Sequence, residues 1–340
     1  MQRAATRKTY LDALRVLACL CVIYNHVSGQ SMRLFSGASG AAALFVFFLS
    51  KSAVALFLMI SGAVLLGRCD SYRKIWLRML RVLLTLVLFS AFYYGMDCLK
   101  NGAAFELPAY LALLAGGRAS NALWYLSLYL GVLAALPLLQ RLSLRLTRAD
   151  YRYFIAWALL FAGVMPTLGA NWPALQLNGS FQLVLFSVPL GLVLLGRYAD
   201  ASVGMNGRRA LLAVAAAVLL AAAPTVFTLC DTALHGMFDN YFLPFATGTA
   251  ACLFLAVKWL DTRLPQDARL RGAVSRLGRL TFCTYLISDF LIEKLQFIRE
   301  ALVPALRVNG AGVAYVLIVM AAGLAVSAVL TRVPGLKKLL

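Results

Sequence analysis

The stretch "YLDALRVLACLCVIYNH" (Tyr10–His26) sets an arginine and a histidine at the two ends of ten uncharged, almost wholly apolar residues. A run this long that does not alternate between polar and apolar positions reads as an α-helix in lipid, because only helices and closed barrels satisfy the backbone there. Eleven residues at about 1.5 Å each place Arg15 and His26 roughly 16 Å apart, and eleven steps of about 100° return them to one stripe. Asp12, one turn before Arg15 on the same face, can partially neutralise it. Ionisable residues inside a span are functional-site candidates. A snorkelling Arg15 and an interfacial His26 are the plain alternative.

Working outward, the composition places the rest of the chain in the same setting. Of 340 residues, 62% are hydrophobic and 13% charged, against roughly 45–50% apolar in soluble domains. Ten apolar runs recur, near 11–29, 44–66, 77–98, 122–140, 153–170, 180–196, 210–228, 241–258, 279–298 and 311–333. The reading is an all-α integral membrane protein of about ten transmembrane helices, a single membrane domain over 1–340 with no cleavable signal peptide and no appended soluble module. Of the 32 Lys and Arg, 23 fall on one side of this topology and seven on the other, with Arg15 and Arg81 inside spans. Both termini are therefore expected in the cytoplasm. Topology and anionic lipid account for the net charge of +19 without nucleic acid.

The seven cysteines are scattered and lack metal-ligand spacing. Buried apolar thiols are the simplest reading, although Cys98 and Cys230 fall near predicted outer ends where they could pair. No metal is expected.

The third run opens "SYRKIWLRMLRVLL" (Ser71–Leu84), where Arg78 and Arg81 stand three apart with Lys74 one turn earlier. Such a basic ladder can clamp phosphates. A positive-inside cluster explains Lys74 without help but explains Arg81 less well. Asp289 and Glu293 lie one turn apart in the ninth run. They either pair with Lys294, Lys51 or another outer cation, or Asp289 orients His26 as a triad carboxylate would. Lys51, just before the motif of the second run, is either a mouth residue or an interfacial anchor. Ser61 and Gly62 are small-residue packing sites first.

These segments together resemble the acyltransferase 3 membrane O-acyltransferases of bacteria. "YLDALRVLACLCVIYNH" is similar to the family's first helix with its Arg/Lys–ten residues–His signature, "AVALFLMISGAVLL" to its second helix, and "RMLR" to its Arg-x-x-Arg pair. "LWYLSLYLGVLAALPLL" and "LGRLTFCTYLISDFL" are weaker echoes. The resemblance implies transfer of an acyl group, usually acetyl, from cytoplasmic acyl-CoA to a hydroxyl of a cell-surface glycan or lipid-linked saccharide, in the inner (plasma) membrane. It makes His26 the catalytic histidine, as base or as acyl carrier, with Arg15 its partner; Arg78 and Arg81, with Lys74 beside them, would bind the nucleotide end of CoA. An extended pantetheine arm is comparable to the 16 Å stripe of α-helix between Arg15 and His26. Two departures stand out: Ala122, beside Asn121, where many relatives have His, and "YLISD" (Tyr285–Asp289) where many have "YLIHP". His26 is thus the one histidine within a span; His235 lies in an outer loop. The competing functional class is a transporter or flippase using His26, Asp289 and Glu293 as a proton relay. A non-catalytic CoA-binding relative is a third.

Overall fold

The computed structural model describes residues 7–31, 37–116, 123–171, 174, 187–230, 244–265 and 267–339. Within these, every apolar run falls on helix. In chain order the helices are α1 (Thr9–Ser31), α2 (Gly37–Ser50), α3 (Ala53–Leu65), α4 (Tyr72–Asn101), α5 (Leu107–Ala115), α6 (Trp124–Arg145), α7 (Arg148–Leu159), α8 (Met165–Asn171), α9 (Val188–Ala201), α10 (Gly207–Leu229), α11 (Pro244–Arg263), α12 (Ala268–Lys294) and α13 (Gln296–Leu330). A π-helical turn, Leu160–Val164, joins α7 to α8. No strand occurs among the described residues.

Among the described residues, seven segments are long and apolar enough to cross a membrane: Thr9–Val27, Gly40–Leu65, Tyr72–Asn101, Trp124–Arg145, Arg148–Gly169, Gly207–Leu229 and Gln296–Leu330. The other three expected spans fall on α9, α11 and α12. α9 has only 14 helical residues, about 21 Å at 1.5 Å per residue. α11 ends in Lys258, Asp261 and Arg263, and the first half of α12 carries Arg269, Arg271, Arg276 and Arg279. The short helix α5 was not expected from the sequence. Its Tyr110 hydroxyl donates to the Val87 carbonyl at 2.9 Å, fastening it to α4.

Local signals explain several boundaries. Ser71 caps α4 by accepting from the Lys74 amide, and α4 stops at Gly102, whose φ of 63° suits a residue without Cβ. Thr147 and Asp150 form a reciprocal capping box at α7. The second apolar run is not one helix: it breaks at Lys51–Ser52, between α2 and α3. Hydropathy reads straight through this break because both halves are strongly apolar.

Contacts divide the chain into two compact units, Met1–Leu66 with Arg145–Arg279, and Gly67–Leu144 with Leu280–Leu340. In the first, α3 packs on α9 at backbone distance. A Cβ added to Gly62 would lie 1.8 Å from the Val193 carbonyl oxygen, and one added to Gly196 would lie 1.9 Å from that of Met59. Such mutual approach is how helices gain dispersion contacts in lipid, where burying apolar area supplies no driving force between them. Gly62 is thus a packing residue, as its sequence suggested. In the second unit, Gly323 lets α13 close on Thr284 of α12, whose hydroxyl lies 3.0 Å from that of Ser327.

Candidate functional site

In the first unit the site is built along α1. The Asp12 carboxylate has no exposed surface and pairs with Arg15 in the next turn. It also accepts two hydrogen bonds from Arg7, at 2.6 and 2.7 Å. Gly278 makes room for it, since a Cβ there would approach the Asp12 Cβ to 2.6 Å. The Arg15 side chain, 28% exposed, is therefore held in place by a buried counter-ion, as the Asp12–Arg15 spacing led one to expect. Arg7 was not foreseen, because it precedes the helical periodicity.

Three turns further on, His26 is half-buried, and the chain around it is tied to α2. The Tyr24 hydroxyl donates to the Ala43 carbonyl at 3.1 Å. The Asn25 amide donates to the Ser50 hydroxyl at 3.1 Å, which in turn donates to the Phe47 carbonyl at 2.6 Å. A buried polar chain of this kind fixes the turn of helix that carries the imidazole. Asn25 was legible as the polar neighbour of His26 but was not singled out.

Lys51, read from the sequence as a mouth residue or an interfacial anchor, is 6% exposed, in the break between α2 and α3, with its ammonium 4.5 Å from the centroid of the Phe47 ring. Its amide is shared between the Phe47 and Phe48 carbonyls, and the Ser52 hydroxyl donates to the Leu49 carbonyl at 2.7 Å, so the end of α2 is satisfied locally. Covering an ammonium with protein in this way is costly unless it finds partners.

In the second unit the basic ladder of α4 is organised by a carboxylate that the sequence did not advertise. Asp70, 5% exposed, binds Arg78 at 2.6 Å, Lys74 at 2.7 Å and Arg68 at 3.2 Å. Gln140 of α6 clasps it twice, accepting from the Asp70 amide at 2.9 Å and donating to its carboxylate at 3.2 Å. Burial works against ionisation of Asp70, but the bonds from Lys74, Arg78 and Gln140 outweigh it and hold this carboxyl well below the usual range. Arg81 is turned elsewhere: its Nε donates to the Leu339 carbonyl at 2.9 Å. Arg78 and Lys74 thus converge on one anion, while Arg81 is engaged by the segment that follows α13.

Asp289 is half-buried on α12; it belongs to the second unit and His26 to the first. Glu293, one turn further along α12, meets Lys100 at 3.0 Å and Lys294 at 3.7 Å, the cation pairing that was its plain reading. All seven cysteines are free thiols; Cys19, Cys21, Cys98 and Cys283 are buried, whereas Cys69 and Cys230 are exposed, contrary to a uniformly buried set. His235, Asn121 and Ala122 lie outside the described residues.

Chemically, the first unit offers a half-buried imidazole on a helix turn bonded to α2, and the second a cluster of cations gathered on one carboxylate. Residues 8–332 match the family model described as an acyltransferase domain. No curated protein and no solved structure matches the chain. With nearly its whole length covered, the chain belongs to the acyltransferase 3 family of membrane acyltransferases.

Proposed function

We propose that this acyltransferase carries acetyl from cytoplasmic acetyl-CoA to a hydroxyl of a cell-surface glycan or lipid-linked saccharide, as a ten-span protein of the inner (plasma) membrane with both termini in the cytoplasm. The observation that carries the reading is His26: a half-buried imidazole on a helix turn bonded to α2 through Tyr24 and Asn25, in a chain whose family performs acyl transfer. The 23-to-7 division of Lys and Arg supports the orientation.

In this reading His26 takes the proton of the acceptor hydroxyl as its oxygen bonds to the thioester carbon. The C–S bond then breaks, and the departing thiolate receives that proton from the imidazolium. In the covalent variant the imidazole nitrogen first takes the acyl group with loss of thiolate, and the acceptor oxygen then displaces it. Arg15, anchored by Asp12, positions the cytoplasmic end of α1. Arg78, Arg81 and Lys74 bind the phosphates of CoA, which must compete with Asp70 and the Leu339 carbonyl for them. Asp289 supports the imidazole as its carboxylate partner.

His26→Gln tests the reading, since it keeps size and polarity but cannot take up a proton. Acceptor acetylation in membranes at equal expression should fall at least about 100-fold, while CoA binding persists. Asp289→Asn should lower the rate by less, and the double variant should be little worse than His26→Gln alone. Wild-type acetylation by His26→Gln would end the catalytic assignment. The transporter reading, which the family match does not favour, would show instead as substrate movement with no labelled acyl product from acetyl-CoA.

A further inference from the structure

Arg81 stands apart from the rest of the basic ladder. Arg68, Lys74 and Arg78 all meet the Asp70 carboxylate, whereas Arg81 meets no carboxylate among the described residues. Its Nε donates to the Leu339 carbonyl at 2.9 Å, a contact wholly inside the second unit. A guanidinium carries five N–H groups in a planar fork, so this bond uses one of them. Among the described residues the other four have no hydrogen-bond acceptor. Holding the fork by its Nε restrains its plane and leaves the terminal nitrogens for another acceptor.

The segment that supplies the carbonyl is ordered by its own backbone. After α13 the Arg332 amide donates to the Val329 carbonyl at 2.9 Å, the Lys337 amide to that of Val333 at 2.8 Å and the Leu339 amide to that of Leu336 at 2.9 Å. Leu336–Lys338 forms a single 3-10 turn. The turn is two-sided: Leu336 and Leu339 are half-buried, Lys337 and Lys338 exposed. Neither lysine side chain has an ion pair or a hydrogen bond among the described residues. With consecutive Cα atoms about 3.8 Å apart, both side chains start within about 8 Å of the Leu339 Cα. A lysine stem is long enough from there to bring its ammonium alongside the guanidinium that Leu339 holds. Arg81, Lys337 and Lys338 thus gather three cations with no carboxylate among them, the reverse of the arrangement at Asp70. Cations grouped without a counter-ion repel one another and are relieved by binding an anion.

We propose that Lys337 and Lys338, brought to α4 by the bond between Leu339 and Arg81, form with Arg81 a binding site for the phosphate groups of the acyl donor's nucleotide. This inference rests on the acyl-CoA reading above and deepens it. Arg81 and the two lysines are the open part of the basic ladder, since a phosphate that reaches them has no carboxylate to displace. The planar fork of Arg81 suits two oxygens of one phosphate, and the flexible ammonium groups follow the remaining charge.

The test replaces Lys337 and Lys338 together with glutamine, at exposed positions where the fold does not depend on them. For the double variant, the KM for acetyl-CoA should rise roughly fivefold, the scale of two exposed charge pairs, and its dependence on salt should flatten. The KM for S-acetylpantetheine, which keeps the thioester arm but has no nucleotide phosphates, should not change. Arginine at both positions should restore the acetyl-CoA KM. In an Arg81→Ala background the same two glutamines should cost less than in the wild type, because the turn has lost its tie to α4. The assays are run in vesicles of phosphatidylcholine alone and again with phosphatidylglycerol added. A shift seen only with phosphatidylglycerol would give the lysines to anionic lipid and overturn the proposal. An unchanged acetyl-CoA KM, or equal shifts for both donors, would overturn it too, and each of these results leaves the proposed reaction standing. Wild-type protein that transfers acetyl from neither donor would overturn the acyl-CoA reading and this site with it.

Discussion

Asp12 and Asp70 both gather cations, and they do so differently. Asp12 sits within α1, wholly buried, and its partners Arg7 and Arg15 are within five residues of it. Asp70 precedes α4 in a connecting segment, and its place is fixed by Gln140, seventy residues away. Both groups of cations keep some water: the side chains of Arg7 and Arg15 are 45% and 28% exposed, and those of Lys74, Arg68 and Arg78 are 55%, 42% and 27% exposed. The first arrangement pins an arginine one turn away on the same helix; the second draws three cations, from a connecting segment and from α4, onto one carboxylate.

The sharpest way to break this comparison is to remove the charge at Asp12. Asp12→Asn keeps the volume that Gly278 accommodates but leaves two arginines without their counter-ion. Because both retain some solvent, the loss should sit near the lower end for a broken buried pair, about 3 kcal/mol, seen as a marked fall in melting temperature in detergent. An unchanged melting temperature would mean that Arg15 is held by something other than Asp12. Next in size is Arg81→Ala, expected to weaken acetyl-CoA binding by roughly 1.5–3 kcal/mol, with Arg81→Lys recovering only part because the planar fork is lost. Equal CoA affinity in a folded Arg81→Ala protein would leave this residue with its Leu339 contact alone.

The smallest effect is the most discriminating. On the proposed donor reading, Asp70→Asn removes the anion that a CoA phosphate would have to displace from Arg78 and Lys74. Donor affinity should tighten by a few fold and become more dependent on salt, whereas Asp12→Asn should not tighten it at all. Since the carboxyl of Asp70 lies below its ordinary value of 3.8, its stabilising pairing is fully present above that value. It is lost only as pH falls further, through the folded-state value. Melting temperature should therefore show no Asp70-dependent change between neutral pH and about pH 5. A decline in that window that disappears in Asp70→Asn would contradict the lowered value.

What the sequence disclosed and what it withheld divide along a physical line. Hydropathy and the 3.6-residue period are local properties, and they located the helices, the packing role of Gly62 and the Asp12–Arg15 pair one turn apart. Partners set by the fold were invisible. Nothing near Asp70 announces Gln140, and nothing near Lys258 shows that its ammonium lies 2.8 Å from each of the carbonyls of Ala199, Asp200 and Val203, closing the end of α9. The break at Lys51–Ser52 was masked because a lysine between two strongly apolar helices barely lowers a window average.

The reciprocal contact of Gly62 with Val193 and of Gly196 with Met59 also governs where the first unit can flex. Two helices meeting backbone to backbone have no intervening side chains to slide or change rotamer, so α3 and α9 behave as a single stiff strut. Compliance in the second apolar segment is displaced to the one place where its helical ladder is interrupted, Lys51–Ser52. The hydrogen bonds from Tyr24 and Asn25 tie the turn bearing His26 to α2, the piece on the far side of that break from the strut.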